Sequence, residues 1–537
     1  MPDTEPAALS IFNAMLASVA DEMGAVLGRS ALSPNIRERR DYSCAVFDRH
    51  GNLIAQAAHI PVHLGAMPAS VEAVRGLAPF APGDVAILND PYLGGTHLPD
   101  VTMVSPVFGP HPQPLTHQGE GRRNGRRRPI GFVASRAHQA DIGGMEPGSM
   151  PLASELVQEG LIIPPLKLYA RGHRNEEASR LIMRNVRTPQ ERRGDFDAQV
   201  AAQRTGAARL QELAARYGID ALEMRMQSLL DYAERLTSVA LARIPAGRYE
   251  FEDALDDDGW TNDPVPIRVT VDVDGGRLRV DFSGSARQRP SSVNAVAAVT
   301  RSAVYYAVRC LLGEGAPMNA GCFRPVDVVL PEGSIVNADP GHAVSAGNVE
   351  TSQRITDAVL GALAKALPDL MPAASSGTMN NVTIGGFDDE RVRPFAYYET
   401  LAGGAGAGPQ RAGLDAVHTH MTNTLNTPVE ALEMAYPFRV HEYAVRAGSG
   451  GAGLHRGGAG LVRSYEFLVD ARVTLMTERR RLAPWGANGG GDGERGRNSV
   501  VRADGREEAL AGKGPLRVIA GDILRIETPG GGGWGAA

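Results

Sequence analysis

Two short stretches of the chain place an imidazole and a carboxylate at the same spacing. His97 and Asp100 end the segment Asn89-Asp90-Pro91-Tyr92-Leu93-Gly94-Gly95-Thr96-His97-Leu98-Pro99-Asp100, and His138 and Asp141 end Ser135-Arg136-Ala137-His138-Gln139-Ala140-Asp141. Imidazole nitrogen suits Zn, Fe, Ni and Cu, and carboxylate oxygen draws the preference towards harder ions such as Mn. A mixed set with open positions can polarise a carbonyl or activate water. The competing reading is that the carboxylates cap turns and the histidines make ordinary polar contacts. One His-x-x-Asp carries little information; its repetition in similar settings gives the metal reading its weight.

Other residues could support such a site. Asn89 and Asp90 could contact substrate or steady the ligands, or simply form the Asn-Asp-Pro turn. Asn348, Glu350, Thr351 and Arg354 crowd the start of a helical pattern, which reads either as an anion site or as capping. His418 and His420, in His-Thr-His-Met-Thr-Asn-Thr, would share one face of a strand, where they could serve a metal or acid–base work. Asn423 lies in the same run. Glu350, His418 and His420 are thus the acid–base candidates, and Asn89, Asp90, Asn348 and Asn423 the substrate-contact candidates. His59 and His63 flank Pro61, which disfavours a helical turn between them, and read as loop or core. Gly403 to Gly408 lacks both the GxGxxG register and a Gly-Lys-Ser/Thr, so no nucleotide loop is assigned.

The elements that must position these residues are strands around a metal candidate. Val85–Leu88, Val101–Val104 and Ile130–Ser135 read as short strands, so that one His-x-x-Asp precedes a strand and the other follows one. If those two strands are antiparallel neighbours, both pairs meet at one end of a sheet. Residues 109–128, rich in Pro, Gly, His and Arg, read as a solvated excursion between them. Residues 8–28 form a helical pattern, Tyr42–Asp48 and Leu53–Gln56 a hairpin, and 70–77 a short helix. Residues 155–168 read as an extended strand. Thr188-Pro189 opens a helical hairpin broken at Gly218. Alternation at Ile267, Val269, Val271 and Val273, then Asp274-Gly275-Gly276, is the clearest β-hairpin. Helices follow over 294–312 and 346–367, and the chain from 440 is glycine-broken β.

These patterns predict a mixed α/β and α+β, multi-domain protein. The expected divisions are 1–190 (α/β, with the His/Asp site), 191–246 (helical hairpin), 247–440 (α+β with glycine-rich loops) and 441–537 (β-rich). A length of 537 residues favours several domains. A net charge of -6 speaks against a broad nucleic-acid surface, and the Arg122–Arg128 run reads as a solvated loop. Three cysteines without a Cys-x-x-Cys pattern suggest reduced thiols rather than disulfides or a zinc ribbon. The N-terminal residues lack the basic and apolar regions of a signal peptide, and no apolar run approaches the roughly 20 residues of a membrane span. A cytoplasmic protein is expected.

In chain order the motifs resemble the hydantoinase B/oxoprolinase family. The resemblance is carried by Glu38-Arg39-Arg40-Asp41-Tyr42-Ser43, by Asn89 through Asp100, by Arg136 through Gly144 and by Asn185-Val186-Arg187. It continues through Asp281 to Ser285, Asn348 to Ser352, His418 to Thr424 and the Pro-Gly-Gly-Gly-Gly tail. That family includes the B-type components of ATP-dependent hydantoinases, the C-terminal half of 5-oxoprolinase and an acetone carboxylase subunit. The resemblance implies a hetero-oligomer in which an A-type subunit, similar to actin-like ATPases, spends ATP to activate a cyclic amide. The B-type chain then hydrolyses the lactam C–N bond. It also implies a divalent metal (Mn, Zn or Fe) on His97, Asp100, His138 and Asp141. A ketone carboxylase subunit and a non-catalytic scaffold for the ATPase are the alternatives.

Overall fold

The computed structural model describes residues 6–57, 59–109, 128–313 and 315–536, so the expected 109–128 excursion lies almost wholly outside the described residues. The organising element is a seven-stranded antiparallel sheet of order β2-β1-β5-β4-β3-β6-β7. Its strands are β1 (Tyr42–Asp48), β2 (Leu53–Gln56), β3 (Val85–Leu88), β4 (Asp100–Val107), β5 (Gly131–His138), β6 (Leu166–Ala170) and β7 (His173–Arg174). β1, β4 and β5 are buried along their whole length because both faces of the sheet are covered.

Strand periodicity of two divides those faces. Cys44, Val46, Val133 and Ala137 pack with the Pro6–Ser30 and Pro189–Tyr217 helices, while Ala45, Phe47, Phe132 and Ala134 pack towards Met67 and Val71 of the Ala66–Arg75 helix. The Ala7–Ser30 stretch, with mean hydropathy 1.2, has the length and composition of a span. Its apolar stripe, Leu9, Phe12, Leu16, Val19, Met23 and Leu27, is instead core, and gives the helical spacing read from the sequence. The Pro189–Tyr217 helix is also hydrogen-bonded to the middle of the sheet. Gln199 Nε2 donates to the Val101 carbonyl at 3.1 Å, and Gln203 Nε2 to the Met103 carbonyl at 2.9 Å and Ser135 Oγ at 3.0 Å. This helix starts with Pro189 in its first turn and ends at Gly218, where the Ile219–Leu241 helix begins.

Residues 155–168 differ from the expected strand. Glu155 and Gln158 form a reciprocal capping box, which satisfies the backbone of a one-turn helix, Leu156–Glu159, and only Leu166 onwards is strand. The hairpin at 265–281 is as expected: β9 (Val265–Asp274) turns through Gly275 and Gly276, both at positive φ, into β10 (Arg277–Asp281). With β8 (Gly247–Leu255) and β11 (Val326–Val329) it makes a four-stranded sheet that packs on the Ser352–Ala366 helix. A π-type turn, Gly347–Thr351, precedes that helix where a continuous α-helix is expected.

The remaining strands are β12 (Asn381–Asp388), β13 (Arg393–Glu399), β14 (Phe438–Arg446), β15 (Gly460–Phe467), β16 (Ala471–Met476), β17 (Arg497–Val501), β18 (Glu507–Ala509), β19 (Lys513–Val518) and β20 (Ile523–Glu527). They form sheets of order β13-β12-β16-β19 and β14-β15-β20-β17-β18, so strands from either side of residue 440 share one sheet. Between them, extended glycine segments lie side by side and bond through their backbones: Gly404 N to Pro529 O at 3.0 Å, Gly458 N to Ala405 O at 2.8 Å, Gly531 N to Gly458 O at 2.9 Å. A Cβ on Gly531 would stand 2.1 Å from the Ala405 carbonyl oxygen, which only glycine permits. Gly531→Ala should therefore cost about 3 kcal/mol or more, by overpacking against backbone that cannot move. Gly313→Ala, with nothing within 4 Å of its Cβ, should stay within about 0.5 kcal/mol of the parent in the same denaturation series.

Candidate metal centre

β4 and β5 pair with Asp100 directly opposite His138, so the carboxylate that opens one strand meets the imidazole that closes its neighbour. The turn before β4 bends His97 back over the same point, with Asp100 N donating to the His97 carbonyl at 3.1 Å. Asp100 Oδ1 then lies 3.2 Å from His97 Nε2 and 3.3 Å from His138 Nδ1, and the two nitrogens are 3.2 Å apart. All three side chains are buried.

The other oxygen, Asp100 Oδ2, is occupied separately. It accepts from Thr96 Oγ1 at 2.5 Å and Asn348 Nδ2 at 3.4 Å, and His63 Nε2 stands 3.3 Å away. His63 is fixed by Ser43 Oγ, 2.8 Å from its Nδ1. Sequence reasoning set His63 aside because of Pro61. Here Pro61 occupies the first position of a single 3-10 turn, Pro61–His63, where its fixed φ is favourable. The buried Asp41 carboxylate also lines this spot, with Tyr398 stacked on His138 at 4.2 Å between ring centres.

The electrostatics prepare the group for a cation. Burial alone would raise the Asp100 pKa, but neighbouring His97 and His63 and hydrogen bonds from His138 and His63 hold it well below the usual carboxylate range. Burial lowers the pKa of His138 and of His63, favouring the neutral, ligating imidazole. For His97, burial pulls the pKa down and Asp100 and the Ser345 carbonyl push it up, for a net rise. His97 Nδ1 lies 3.3 Å from the Ser345 carbonyl, a contact that sets Nδ1–H and leaves the Nε2 lone pair facing His138 and Asp100. His97, Asp100 and His138 form a group whose ligand atoms all lie within 4.8 Å of one another, as a metal ion requires. Two buried polar atoms at this spot, His138 Nε2 and Asn348 Oδ1, have no hydrogen-bond partner. The donor set fits Zn, Fe or Mn.

Asp141, the fourth expected ligand, is turned elsewhere. Its Oδ2 accepts from the Arg187 backbone at 2.7 Å and its Oδ1 pairs with the Arg187 guanidinium at 2.8 Å, so it ties the loop after β5 to the 185–187 segment. Asn89 is a clamp: its Nδ2 donates to the Leu98 and Leu161 carbonyls and its Oδ1 accepts from Ile163 N at 2.7 Å. Asp90 caps the Pro91–Leu93 turn through Tyr92 N.

The space beside Asp100 and His138 is about 10 Å³, room for one small species. A cleft of about 820 Å³ adjoins it, and Thr422 and Thr424 line both. His418, His420 and Asn423 line the cleft, on irregular backbone rather than the expected strand, with His420 at a φ of 55°. Burial and nearby Arg39 push the His418 pKa down to about 3. Glu350 stands behind the site: its Oε1 accepts from Met379 N at 3.0 Å and Asn381 Nδ2 at 2.6 Å, and Asn381 Oδ1 accepts from the Tyr398 hydroxyl at 2.8 Å. It thus reaches His138 only through Asn381 and Tyr398.

Among solved structures, an ATP-dependent caprolactamase from Pseudomonas jessenii superposes with a TM-score of 0.89 at 29% identity, over 99% of this chain and 91% of the other. An acetone carboxylase matches with a TM-score of 0.89 at 19% identity, over 99% and 76%, a likeness of fold. In sequence, an uncharacterised protein of Methanocaldococcus jannaschii is 40% identical over 96% of this chain and 88% of its own length. Arabidopsis thaliana 5-oxoprolinase 1 is 38% identical over 98% of this chain, which spans only 42% of that protein. The putative B component of a D-/L-hydantoinase from a Pseudomonas species is 31% identical over 99% and 90%. The sequence profile of one family matches residues 5–537, and the chain belongs to that family, hydantoinase B/oxoprolinase.

Proposed function

We propose that this chain is the hydrolytic B-type subunit of an ATP-dependent cyclic amidohydrolase, acting on a five-membered lactam or imide activated by an A-type, ATP-using partner. The observation that carries this reading is the convergence of His97, Asp100 and His138 beside a polar cleft. Relatives named as 5-oxoprolinase, as the B component of a hydantoinase and as ATP-dependent caprolactamase support the substrate class and the need for ATP.

His97 Nε2, His138 Nδ1 and Asp100 Oδ1 would hold the divalent metal, with the Asp41 carboxylate beside them. A bound metal would supply Lewis acidity to a carbonyl or lower the pKa of a water. The protein's own part is positional. Thr96, His63 and Asn348 fix the Asp100 carboxylate, the Ser345 carbonyl fixes the His97 ring, and Tyr398 fixes the plane of His138. Thr422 and Asn423 give the cleft hydroxyl and amide groups that match an amide's donor and acceptor. Glu350 acts as a positioning residue for Tyr398 rather than by touching substrate.

Metal analysis of the purified chain should give one equivalent, lost in His138→Ala together with turnover of 5-oxoproline or hydantoin by the ATP-supplied complex. Asp141→Asn should keep the metal and lose about 1–3 kcal/mol of stability from the broken Arg187 contacts. A His97→Ala/His138→Ala chain still holding a full equivalent would sink the assignment.

Glu350 makes a separate prediction. Burial raises its pKa to about 8. Folding therefore takes up a proton between the ordinary glutamate value and about 8, so stability from this group is present at low pH and lost as pH rises through that window. In Glu350→Gln the Oε1 contacts survive, and the stability difference between pH 5 and pH 9, read by urea unfolding, should shrink relative to the parent.

A further inference from the structure

On the cleft that adjoins the metal candidate, three side chains from three segments meet. Asp357, on the Ser352–Ala366 helix, has Oδ1 3.4 Å from His420 Nε2. His420 Nδ1 is 3.5 Å from the hydroxyl of Tyr306, which comes from the Ala297–Cys310 helix, and the two rings meet edge to face at 5.7 Å. His420 and Tyr306 both line the cleft. The arrangement is held at cost: His420 is 8% exposed and occupies the left-handed region, which a β-carbon disfavours. Gln353 Nε2 secures its segment through the Thr419 carbonyl at 3.0 Å. The other charged or titratable groups facing these side chains include Arg479, 2.9 Å from Asp357 Oδ2, Arg354 at 3.4 Å from the same oxygen, Asp253, which shares both arginines, and Cys310 beside the Tyr306 hydroxyl.

We propose that Tyr306 is the cleft-side proton donor to the leaving nitrogen, with His420 and Asp357 as the relay that resupplies it. This rests on the cyclic-amide reading above. The metal side and the cleft side are separated by Thr422 and Thr424 and by the Val62 N to Met421 O bond at 3.3 Å, so a ring amide at that boundary would present its carbonyl one way and its nitrogen the other. As water's oxygen bonds to the carbonyl carbon, the C–N bond breaks, its electron pair stays on nitrogen, and water's two protons pass to solvent as the product carboxylate forms. The nitrogen takes the Tyr306 hydroxyl proton while the phenolic oxygen takes the Nδ1 proton of imidazolium His420. His420 is left neutral with its Nε2 proton towards Asp357, and regains a proton from solvent in the cleft. Burial raises the Tyr306 pKa, so a free tyrosinate is avoided only if both transfers are coupled. Burial gives the Asp357 pKa a net rise, against which His420 and Arg354 pull it down, and its carboxyl group stands where it can orient the His420 ring.

The test compares 5-oxoproline with γ-thiobutyrolactone, whose thiolate leaves without a proton, using the metal-loaded, ATP-supplied complex. Tyr306→Phe should lower kcat on the lactam about 100-fold. Its KM should stay within about threefold, and thiolactone hydrolysis should change by less than about threefold. His420→Gln should lower kcat on the lactam to a similar extent while sparing the thiolactone, and the double variant should be no worse than either single one. Equal losses on both substrates, or full lactam turnover by Tyr306→Phe, would overturn the relay. A loss in Tyr306→Phe with His138→Ala unimpaired would overturn the metal reading and keep the relay. A wild-type complex that hydrolyses neither compound would overturn both.

Discussion

An ionised carboxylate sealed inside a protein costs several kcal/mol unless its charge is met, and Asp100 is such a group. No lysine or arginine among the described residues pairs with it; its neighbours are three imidazoles, a hydroxyl and an amide. Two of those imidazoles, His63 and His138, are pushed towards neutrality by the same burial. His97, whose pKa rises, is the imidazole left to meet the carboxylate's charge where it and His138 turn their nitrogens on one oxygen. A divalent cation there, as proposed above, would add positive charge and is a simple physical reason for so many segments to pack around one carboxylate. The turn before β4, β5, the 61–63 turn and the turn at 347–351 all deliver a side chain to it.

How far this was legible in the sequence follows from backbone geometry. His97 and Asp100 could be paired because a tight turn brings residues three apart together, and His138 joined them through antiparallel register. The same spacing failed at Asp141, because the chain leaves β5 at His138 and its next carboxylate meets Arg187 first. His63 was hidden by reading Pro61 as a breaker when it starts a turn. His418 and His420 do not share the strand face expected of them, since a left-handed residue at His420 ends any strand alternation. The sheet, the helical hairpin and the 265–281 turn were legible because each has a strong period or a diagnostic Gly pair. The π-type turn at Gly347–Thr351 leaves no such trace.

The glycine content, 63 residues, has a specific use in the last third of the chain. Side-by-side segments such as 403–406, 457–460 and 529–533 share backbone hydrogen bonds at a spacing that excludes Cβ atoms. This gives Ala402, Ala405 and Leu414, which line the cleft, a wall made of backbone rather than of mobile side chains.

A second buried charge network lies behind the cleft histidine His420. Arg479 and Arg354 share Asp253 and Asp357, Arg354 also reaches Glu478 at 3.6 Å, and Lys513 is paired with Glu478. Buried pairs of this kind add little net stability over an apolar core, but losing one partner strands a charge at about 3–5 kcal/mol. They penalise misplacement more than they reward folding. Here they join residues 253, 354–357, 478–479 and 513, from four separate parts of the chain, and Asp357 is the member that also touches His420. The position of the cleft histidine is thereby tied to the correct docking of all four segments. A chain with any one of them displaced would lose the alignment of His420 before it lost its fold.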